Sequence, residues 1–276
     1  MIDRVFIYDG LVPFNNFNVN STFKALARPF GGGSAFMTVV KDLPVKELFN
    51  ELFAFLVLHE LALPVPRSYV GFVDASLPEV SKAPPDGRGH RVVFASEEIP
   101  APSLRFTTGL PSPSTLQEEQ FLLDHIVPLI SSWKELGELY AFDEWVANID
   151  RNVGNLLLGP RSTTSNPEVW LIDHGMAFTS PSWTAGDLLP NADYLNKLSV
   201  WATPRLSVDK RQKCLAAAAL FGAKAQNFDK DGKIEYLATV FGLSKEEREA
   251  AKHFLEVRIA QISDRSQKIL GLEGMI

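Results

Sequence analysis

Cysteine is almost absent from the sequence, since Cys214 is the one cysteine in 276 residues. A single cysteine cannot form a disulfide within the chain, and a chain without disulfides is typical of a reducing, intracellular setting. Because Cys214 lies in the apolar run CLAAAALFG, we interpret it as a small core residue rather than a nucleophile. We therefore expect a cytoplasmic protein.

Long apolar runs are also absent. No stretch approaches the roughly 18 uninterrupted apolar residues that a membrane-spanning helix needs, so no membrane span is expected. The first residues, MIDRVFIYDGLVPF, include acidic side chains within the first nine positions and contain no long apolar core. This composition argues against a signal peptide.

An excess of positive charge is missing, and so is a metal-ligand pattern of histidines. The formal net charge of −6 argues against a protein that mainly coats nucleic acid, so no direct nucleic-acid binding is expected. None of the five histidines forms a pair at zinc-ligand spacing, and we interpret His174 as a residue that holds a turn. Residues 227–238 begin like a calcium loop, but Ala238 stands where such a loop needs a bidentate carboxylate, so we predict a helix-start turn.

The most informative stretch is residues 148–178, which contain NIDRNVGNLLL and, after a short insertion, VWLIDHGMAF. Asp150 precedes a polar turn and can accept the proton of an attacking hydroxyl, while Asn155 can reach a magnesium ion. Asp173 ends a second apolar run and would hold the metal that bridges nucleotide phosphates, because Mg2+ takes only one or two oxygens from the protein. Such residues are also common in plain turns and helix caps, but their order and their attachment to apolar strands favour phosphoryl transfer.

The first third of the chain has the pattern of a small sheet with one helix. We predict strands at residues 4–8, 23–30, 36–41, 68–73 and 91–95, a hairpin turn at 31–34 and a helix at 45–61. Residues 1–98 would form a β-rich nucleotide-binding lobe. The glycine triplet at 31–33 precedes a strand, so we interpret it as a turn and not as a phosphate loop. Asn20, Ser21 and Thr22 are the better candidates for donors to phosphate oxygens.

Lys41 stands at the end of an apolar strand, so its ammonium can point into a cleft while its stem lies on the sheet. The next helix carries Glu51 among apolar neighbours, and a glutamate there needs a partner. A Lys41–Glu51 pair would orient the lysine onto nucleotide phosphates. Glu47 is the alternative partner, but its place near the helix start favours a surface charge that stabilises the helix dipole.

The rest of the chain reads as a hinge followed by helices. Residues 99–115 would be the linker, and the backbone groups of Glu98 and Ile99 could pair with an adenine edge. The periodicity predicts helices at 116–129, at 133–147 and over about 208–271. The predicted fold class is α+β, with a C-terminal helical lobe at 116–276 that contains a catalytic loop at 148–158 and a metal-binding strand end at 169–175.

Together these residues resemble the HipA-like kinases, in particular the short single-chain bacterial proteins of that family. The resemblance runs from about residue 20 to 180 and rests on Lys41, Asn50-Glu51, the segment LPVP at 63–66, Asp150 with Asn155, and Ile172-Asp173. More distantly, the chain is similar to the phosphoinositide 3- and 4-kinases, whose catalytic stretch also has Asp-Arg followed by an Asn five positions after the Asp.

The resemblance implies a bilobal protein-kinase-like fold, with a small antiparallel β-sheet lobe that carries one helix and a larger, mainly helical lobe. It implies that Lys41 binds ATP phosphates, that Glu51 anchors Lys41, and that Asp150 is the catalytic base. Asn155 and Asp173 would hold Mg2+. HipA-like kinases often act as toxins neutralised by an antitoxin, so an antitoxin-like protein partner is also implied.

We therefore expect an ATP- and Mg2+-dependent kinase that phosphorylates a serine or threonine on a protein. The chain departs from related enzymes at Asn148, where protein kinases and aminoglycoside phosphotransferases usually have His, and at Asn152, where the lipid kinases have His. Two alternatives stay open, a non-catalytic adaptor with a kinase shape and a small-molecule phosphotransferase, which Asn148 disfavours. The candidate autophosphorylation sites are Ser21, Thr22, Thr179 and Ser180. The sequence leaves the oligomeric state open.

Overall fold

The computed structural model of the chain describes residues 2–13, 21–110, 112–159 and 168–274. These residues form a mixed α/β structure, in which a five-stranded barrel comes first and most of the helices follow. No helix in the described ranges is long and apolar enough to cross a membrane. Asn20, one of the candidate phosphate donors, lies outside the described residues.

The barrel consists of β1 (Arg4–Pro13), β2 (Thr22–Pro29), β3 (Phe36–Lys41), β4 (Ser68–Asp74) and β5 (His90–Glu97). The strands pair in the order β1-β2-β3-β5-β4, and β1 also pairs with β4, which closes the sheet. The five predicted strands are confirmed, although β1 is longer than predicted. Gly32 and Gly33 in the connection between β2 and β3 have φ values of +86° and +128°, which suit glycine and confirm a turn there.

The β1–β4 pairing is parallel, so the prediction of an antiparallel sheet is wrong for this pair. Closing the barrel leaves neither β1 nor β4 as an open edge, and hydrophobic alternation does not encode which distant strand is the neighbour. The buried cluster of the barrel combines alanines, such as Ala25 and Ala95, with larger residues, such as Val40 and Tyr69. A Cβ atom on Gly71 would lie 2.8 Å from Val93 Cγ2, so this position requires glycine.

Helix α1 (Val45–Glu60) follows β3 and is buried over most of its length. It packs on Val70 and Phe94 of the barrel's outer face and on helices from the end of the chain. The predicted helix at 45–61 is confirmed. The prediction that Glu47 is a surface charge is wrong, because Glu47 is only 8% exposed. The chain after Asp173 covers it, and a Cβ atom on Gly175 would lie 2.7 Å from Glu47 Oε1.

The remaining elements form a second, larger core that is continuous with α1. They are α2 (Leu104–Thr107), α3 (Leu116–Ser131), α4 (Leu136–Trp145), β6 (Leu156–Leu158), β7 (Val169–Leu171), α5 (Lys197–Ala202), α6 (Val208–Ala225), α7 (Lys230–Phe241), α8 (Lys245–Ala260) and α9 (Ile262–Ile269). Strands β6 and β7 pair antiparallel. The predicted helical regions are confirmed, and Asp229 caps α7 through Gly232 N, as expected for a helix-start turn. Helix α2 lies inside the predicted linker.

Cys214 lies where α4 and α6 touch. A Cβ atom on Gly137 of α4 would collide with the Cys214 carbonyl oxygen, so the two helices approach as closely as glycine permits. The Cys214 residue is 2% exposed, and burial raises the pKa of its thiol to about 11. The interpretation of Cys214 as a core residue is confirmed.

We expect Cys214 to react with Ellman's reagent at pH 8 at least roughly 100-fold more slowly in the native protein than in urea. Raising the pKa of the thiol from 9.0 to about 11 lowers the thiolate fraction at this pH by about that factor, and burial also limits access. The measurement is the absorbance trace with and without urea. Fast reaction of the native protein would contradict the close α4–α6 contact.

Candidate active site

Three side chains that lie far apart in the sequence meet at the end of β3. Lys41 Nζ lies 2.6 Å from Glu51 Oε1 of α1 and 2.8 Å from Asp173 Oδ1, which follows β7. The Lys41 side chain is 15% exposed and that of Glu51 is 1% exposed, whereas half of the Asp173 side chain stays open to solvent. The lysine is thus held between one buried carboxylate and one carboxylate that a ligand can reach.

The charges of this cluster support one another. Burial works to lower the pKa of Lys41, but the nearby Asp173 and Glu51 outweigh it and hold the pKa above its ordinary value. The pKa of Asp173 is lowered, chiefly by the charge of Lys41. Burial raises the pKa of Glu51, and Lys41 opposes this effect. Lys41 is therefore positively charged and Asp173 ionised near neutral pH.

Glu51 also binds the backbone of His174, the residue after Asp173. Its Oε2 accepts a hydrogen bond from the backbone N–H of His174 at 3.0 Å, while Oε1 contacts Lys41. Asp173 itself has a φ of +61°, which is uncommon for a residue other than glycine. Backbone strain of this kind persists only where neighbouring contacts enforce it, and it is frequent at ligand-binding sites.

Asn50, the residue before Glu51, binds the same segment. Its Nδ2 lies within 3.0 Å of three carbonyl oxygens, those of Gly175, Ala177 and Ser180, and its Oδ1 accepts from Trp183 Nε1 at 2.8 Å. Asn50 is fully buried. One turn of α1 thus holds the chain from residue 174 to 183.

The loop after α4 carries Asp150 and Asn155. Asn155 Nδ2 donates to the Asp150 carbonyl oxygen at 2.7 Å, so the carboxamide oxygen is the atom of Asn155 that could ligate a metal. Asn152 Oδ1 accepts from Gly154 N at 2.7 Å and closes the turn. The N–H of Ile172 donates to the Asn155 carbonyl oxygen at 3.1 Å, which brings the loop against the residue that precedes Asp173.

A buried ion pair holds this loop against α4. Arg151 Nε and Nη2 donate to the two carboxylate oxygens of Asp143 at 3.0 Å each, and both side chains are fully buried. Arg151 Nη1 donates to the Ile172 carbonyl oxygen at 2.9 Å, and Nη2 lies 3.0 Å from His174 Nδ1. Burial and the charge of Arg151 lower the pKa of His174 well below its ordinary value, so the imidazole is neutral and can accept at Nδ1. These contacts fit the interpretation of His174 as a turn-holding residue.

Lys197 is a site residue that the sequence analysis missed. It is the first residue of α5, and its ammonium forms an ion pair with Asp150 Oδ1. Asn152 Nδ2 lies 3.3 Å from the other oxygen, Oδ2. No local pattern marks Lys197, because the lysine lies 47 residues after Asp150 and follows an ordinary helix cap.

The remaining candidate ligand residues lie around this cluster. Thr22 is the β2 partner of Lys41 in the strand register, and the Ser21 carbonyl oxygen accepts from Asp42 N at 3.0 Å. The Glu98 side chain forms an ion pair with Lys24 of β2. The Ile99 carbonyl oxygen accepts from Ala101 N at 2.8 Å. The structure thus places Ser21 and Thr22 beside Lys41, whereas the Ile99 carbonyl is already engaged within the chain.

The donor set suits Mg2+. Asp173 offers a half-exposed carboxylate, and Asn155 offers a carboxamide oxygen, which are the hard oxygen ligands that Mg2+ prefers. The number of protein ligands is small, but Mg2+ commonly completes its shell with phosphate oxygens and water. The residues present therefore fit a magnesium–nucleotide complex.

The comparisons with known proteins agree with this arrangement at the level of the fold. Neither a protein-family model nor a curated protein sequence matches the chain. Among solved structures, the chain is similar to the crystal structure of a Helicobacter pylori proinflammatory kinase, CtkA, with a TM-score of 0.57 and 14% sequence identity over 95% of both chains. At this identity the likeness shows the fold alone, and the chain therefore has a kinase-like fold.

Proposed function

We propose that the protein is an ATP- and Mg2+-dependent kinase of bilobal architecture that transfers the γ-phosphate to a hydroxyl group. The single observation that carries the proposal is the simultaneous contact of Lys41 with Glu51 and Asp173, which are 10 and 132 residues away in the sequence. A buried carboxylate that positions a lysine next to a half-exposed carboxylate is an arrangement suited to phosphates and their metal ion.

Each residue takes a distinct role in this proposal. Lys41 contacts the phosphates and Glu51 holds Lys41 in place. Asn155 and Asp173 would hold Mg2+, which would supply positive charge against the phosphates. Asp150 accepts the proton of the acceptor hydroxyl. Ser21 and Thr22 are assigned to the phosphates, and the backbone near Glu98 and Ile99 is assigned to the adenine edge.

We propose a serine or threonine of another protein as the acceptor. The support is the exposure of Leu195 and Val200, which lie two residues before and three residues after Lys197 and expose 55% and 61% of their area. Apolar side chains grouped next to a proposed catalytic base suit contact with a protein better than contact with a small polar molecule. An antitoxin-like partner, implied by the resemblance to HipA-like kinases, belongs to the same proposal.

Isothermal titration with ATP tests the function directly. We expect the wild-type protein to bind ATP more tightly with Mg2+ than with EDTA, and Asp173→Ala to lose most of that difference because it removes the carboxylate that binds the metal. The matched control is Asp264→Ala, an exposed carboxylate on α9, which should behave as wild type. Absence of magnesium-dependent ATP binding by the wild-type protein would contradict the proposal.

Labelled ATP separates a kinase from an adaptor. A kinase should transfer label to its own hydroxyls or release it as phosphate, and Asp173→Ala should do neither. Intact mass then counts the phosphates on the chain, which tests Ser21, Thr22, Thr179 and Ser180 together. An adaptor would bind nucleotide and yield no ADP.

A further inference from the structure

Both carboxylate oxygens of Asp150 are already in contact with nitrogen atoms. The Lys197 ammonium forms an ion pair with Oδ1, and Asn152 Nδ2 lies 3.3 Å from Oδ2. The Lys197 side chain is 44% exposed and that of Asp150 is 31% exposed, so the pair lies where a substrate can reach it. The Lys197 ammonium therefore holds positive charge directly against the proposed base.

The fold holds Lys197 in this position. Asn196 caps α5 by accepting from Ser199 N at 3.0 Å, and its Nδ2 donates to Glu144 Oε1 of α4 at 3.1 Å. Farther along α5, Trp201 Nε1 donates to the Arg151 carbonyl oxygen at 2.8 Å, which ties the helix to the loop that carries Asp150. The first residue of α5 is therefore fixed beside Asp150 by buried contacts on both sides of it.

The chemistry of transfer brings the phosphoryl group to the same place. An acceptor hydroxyl must come within about 2.6 to 3.2 Å of the base, and the phosphorus that it attacks lies one bond farther on. An ammonium bound to that carboxylate is therefore only a few ångströms from the equatorial oxygens of the transferred group. The proposed function already assigns Lys41 to the nucleotide phosphates, and Arg151 is fully buried on Asp143, so Lys197 is an additional cation beside the proposed base.

We propose that Lys197 is a catalytic residue whose ammonium moves from Asp150 Oδ1 to the equatorial oxygens of the phosphoryl group during transfer. The step rests on the proposed kinase function. The bond between the acceptor oxygen and phosphorus forms, and the bond between the γ-phosphorus and the bridging oxygen breaks, with its electron pair leaving on ADP. The proton of the acceptor goes to the freed oxygen of Asp150. Lys197 thus stabilises negative charge in the transition state and makes the base available.

Asn152, the polar residue close to Asp150 in the sequence, cannot supply this positive charge. Asn152 lies two positions after the base, and its side chain is short, uncharged and bonded to Gly154 N. A lysine has a long, flexible stem and three donors, so its ammonium can leave Asp150 Oδ1 and reach the phosphoryl oxygens. The described residues of the loop that carries Asp150 include no unpaired cation. Lys197 of α5, from a distant part of the chain, therefore supplies the positive charge there.

Three variants test the proposal, with wild type assayed beside them. Lys197→Met removes the charge, Lys197→Arg keeps it, and Lys213→Met breaks a matched Lys–Asp pair on α6, outside the site. The first measurement is the turnover of γ-labelled ATP, taken as label on the protein plus released phosphate. We expect Lys197→Met to lower kcat roughly 100-fold or more, the usual effect of losing one transition-state donor, with little change in KM for ATP. Lys197→Arg should recover part of the rate, and Lys213→Met should match wild type.

The second measurement does not depend on turnover. Wild type should bind Mg-ADP with aluminium fluoride, a mimic of the transferred phosphoryl group, more tightly than Mg-ADP alone. Lys197→Met should bind Mg-ADP normally and lose most of that increment. A purely structural role would not separate the two ligands.

The outcomes distinguish this proposal from the function on which it rests. If Lys197→Met turns over at the wild-type rate, or faster, Lys197 is a structural partner or a restraint on Asp150, and the proposal is wrong while the kinase stands. If the wild-type protein neither binds Mg-ADP nor consumes ATP, the kinase function is wrong and the role of Lys197 falls with it.

Discussion

Replacing Asp150 with asparagine is expected to slow phosphoryl transfer by roughly 100- to 10,000-fold, the range that a positioned general base contributes. Asparagine keeps the shape of the side chain but cannot accept a proton at neutral pH. Nucleotide affinity should stay within about twofold of wild type, because the proposed function assigns the phosphates and the metal to Lys41, Asn155 and Asp173. The measurements are ADP formation with labelled ATP and a titration with Mg-ADP.

A matched control for this variant is Asp124→Asn. Asp124 also pairs with a cation, since its Oδ1 lies 2.7 Å from Arg205 Nε, but it is 62% exposed on α3 and outside the site. It should leave the rate unchanged. Equal rates for wild type and Asp150→Asn would remove Asp150 from the chemistry and would favour a role for the loop in structure alone.

Arg151→Met is expected to lower the free energy of unfolding by about 3 to 5 kcal/mol, the usual cost of leaving a buried charge without its partner. The Asp143 carboxylate that Arg151 holds is fully buried. Burial already raises the pKa of Asp143, and Arg151 and Asn148 are the groups that oppose this shift. The measurement is urea denaturation followed by far-UV circular dichroism.

The double variant Arg151→Met/Asp143→Leu separates a lost charge partner from a lost shape. Replacing both members of a buried pair with apolar residues of similar volume is often close to neutral, so the double variant should regain most of the stability. Arg248→Met, which breaks a partly exposed pair with Glu235 on the surface, should change stability by less than about 1 kcal/mol. If the double variant is no more stable than Arg151→Met, the bonds of Arg151 to Ile172 and His174 carry the effect.

Sequence reasoning succeeded where a feature has a local signature. Strand and helix positions follow from the period of apolar residues, and the pairing of Lys41 with Glu51 was predicted because Glu51 lies among apolar neighbours. A glutamate on a buried face demands a cation, and a lysine at a neighbouring strand end supplies one. The structure shows this pair and places Asp173 against the same lysine.

The missed features depend on single polar residues whose partners have no signature in the sequence. No periodic pattern marks these pairings, and each partner alone resembles an ordinary polar residue. The pairings are Asp143 with Arg151, Asn50 with the carbonyl oxygens after Asp173, and Lys197 with Asp150. The parallel closure of β1 on β4 was missed for a related reason, because alternation fixes the face of a strand but not its neighbour. Glu47 was misjudged because the chain that covers it comes more than a hundred residues later.

Asn50 and Glu51, which are adjacent in α1, both bind the backbone of the segment that follows Asp173. Glu51 accepts hydrogen bonds from the backbone N–H of His174 and from Lys41, while Asn50 donates to carbonyl oxygens from Gly175 onward. A tilt or slide of this helix would pull on the lysine, the strained Asp173 backbone and the peptide after it at the same moment. Lys41 and Asp173 would then change position together, so forms in which only one of them has moved should be scarce.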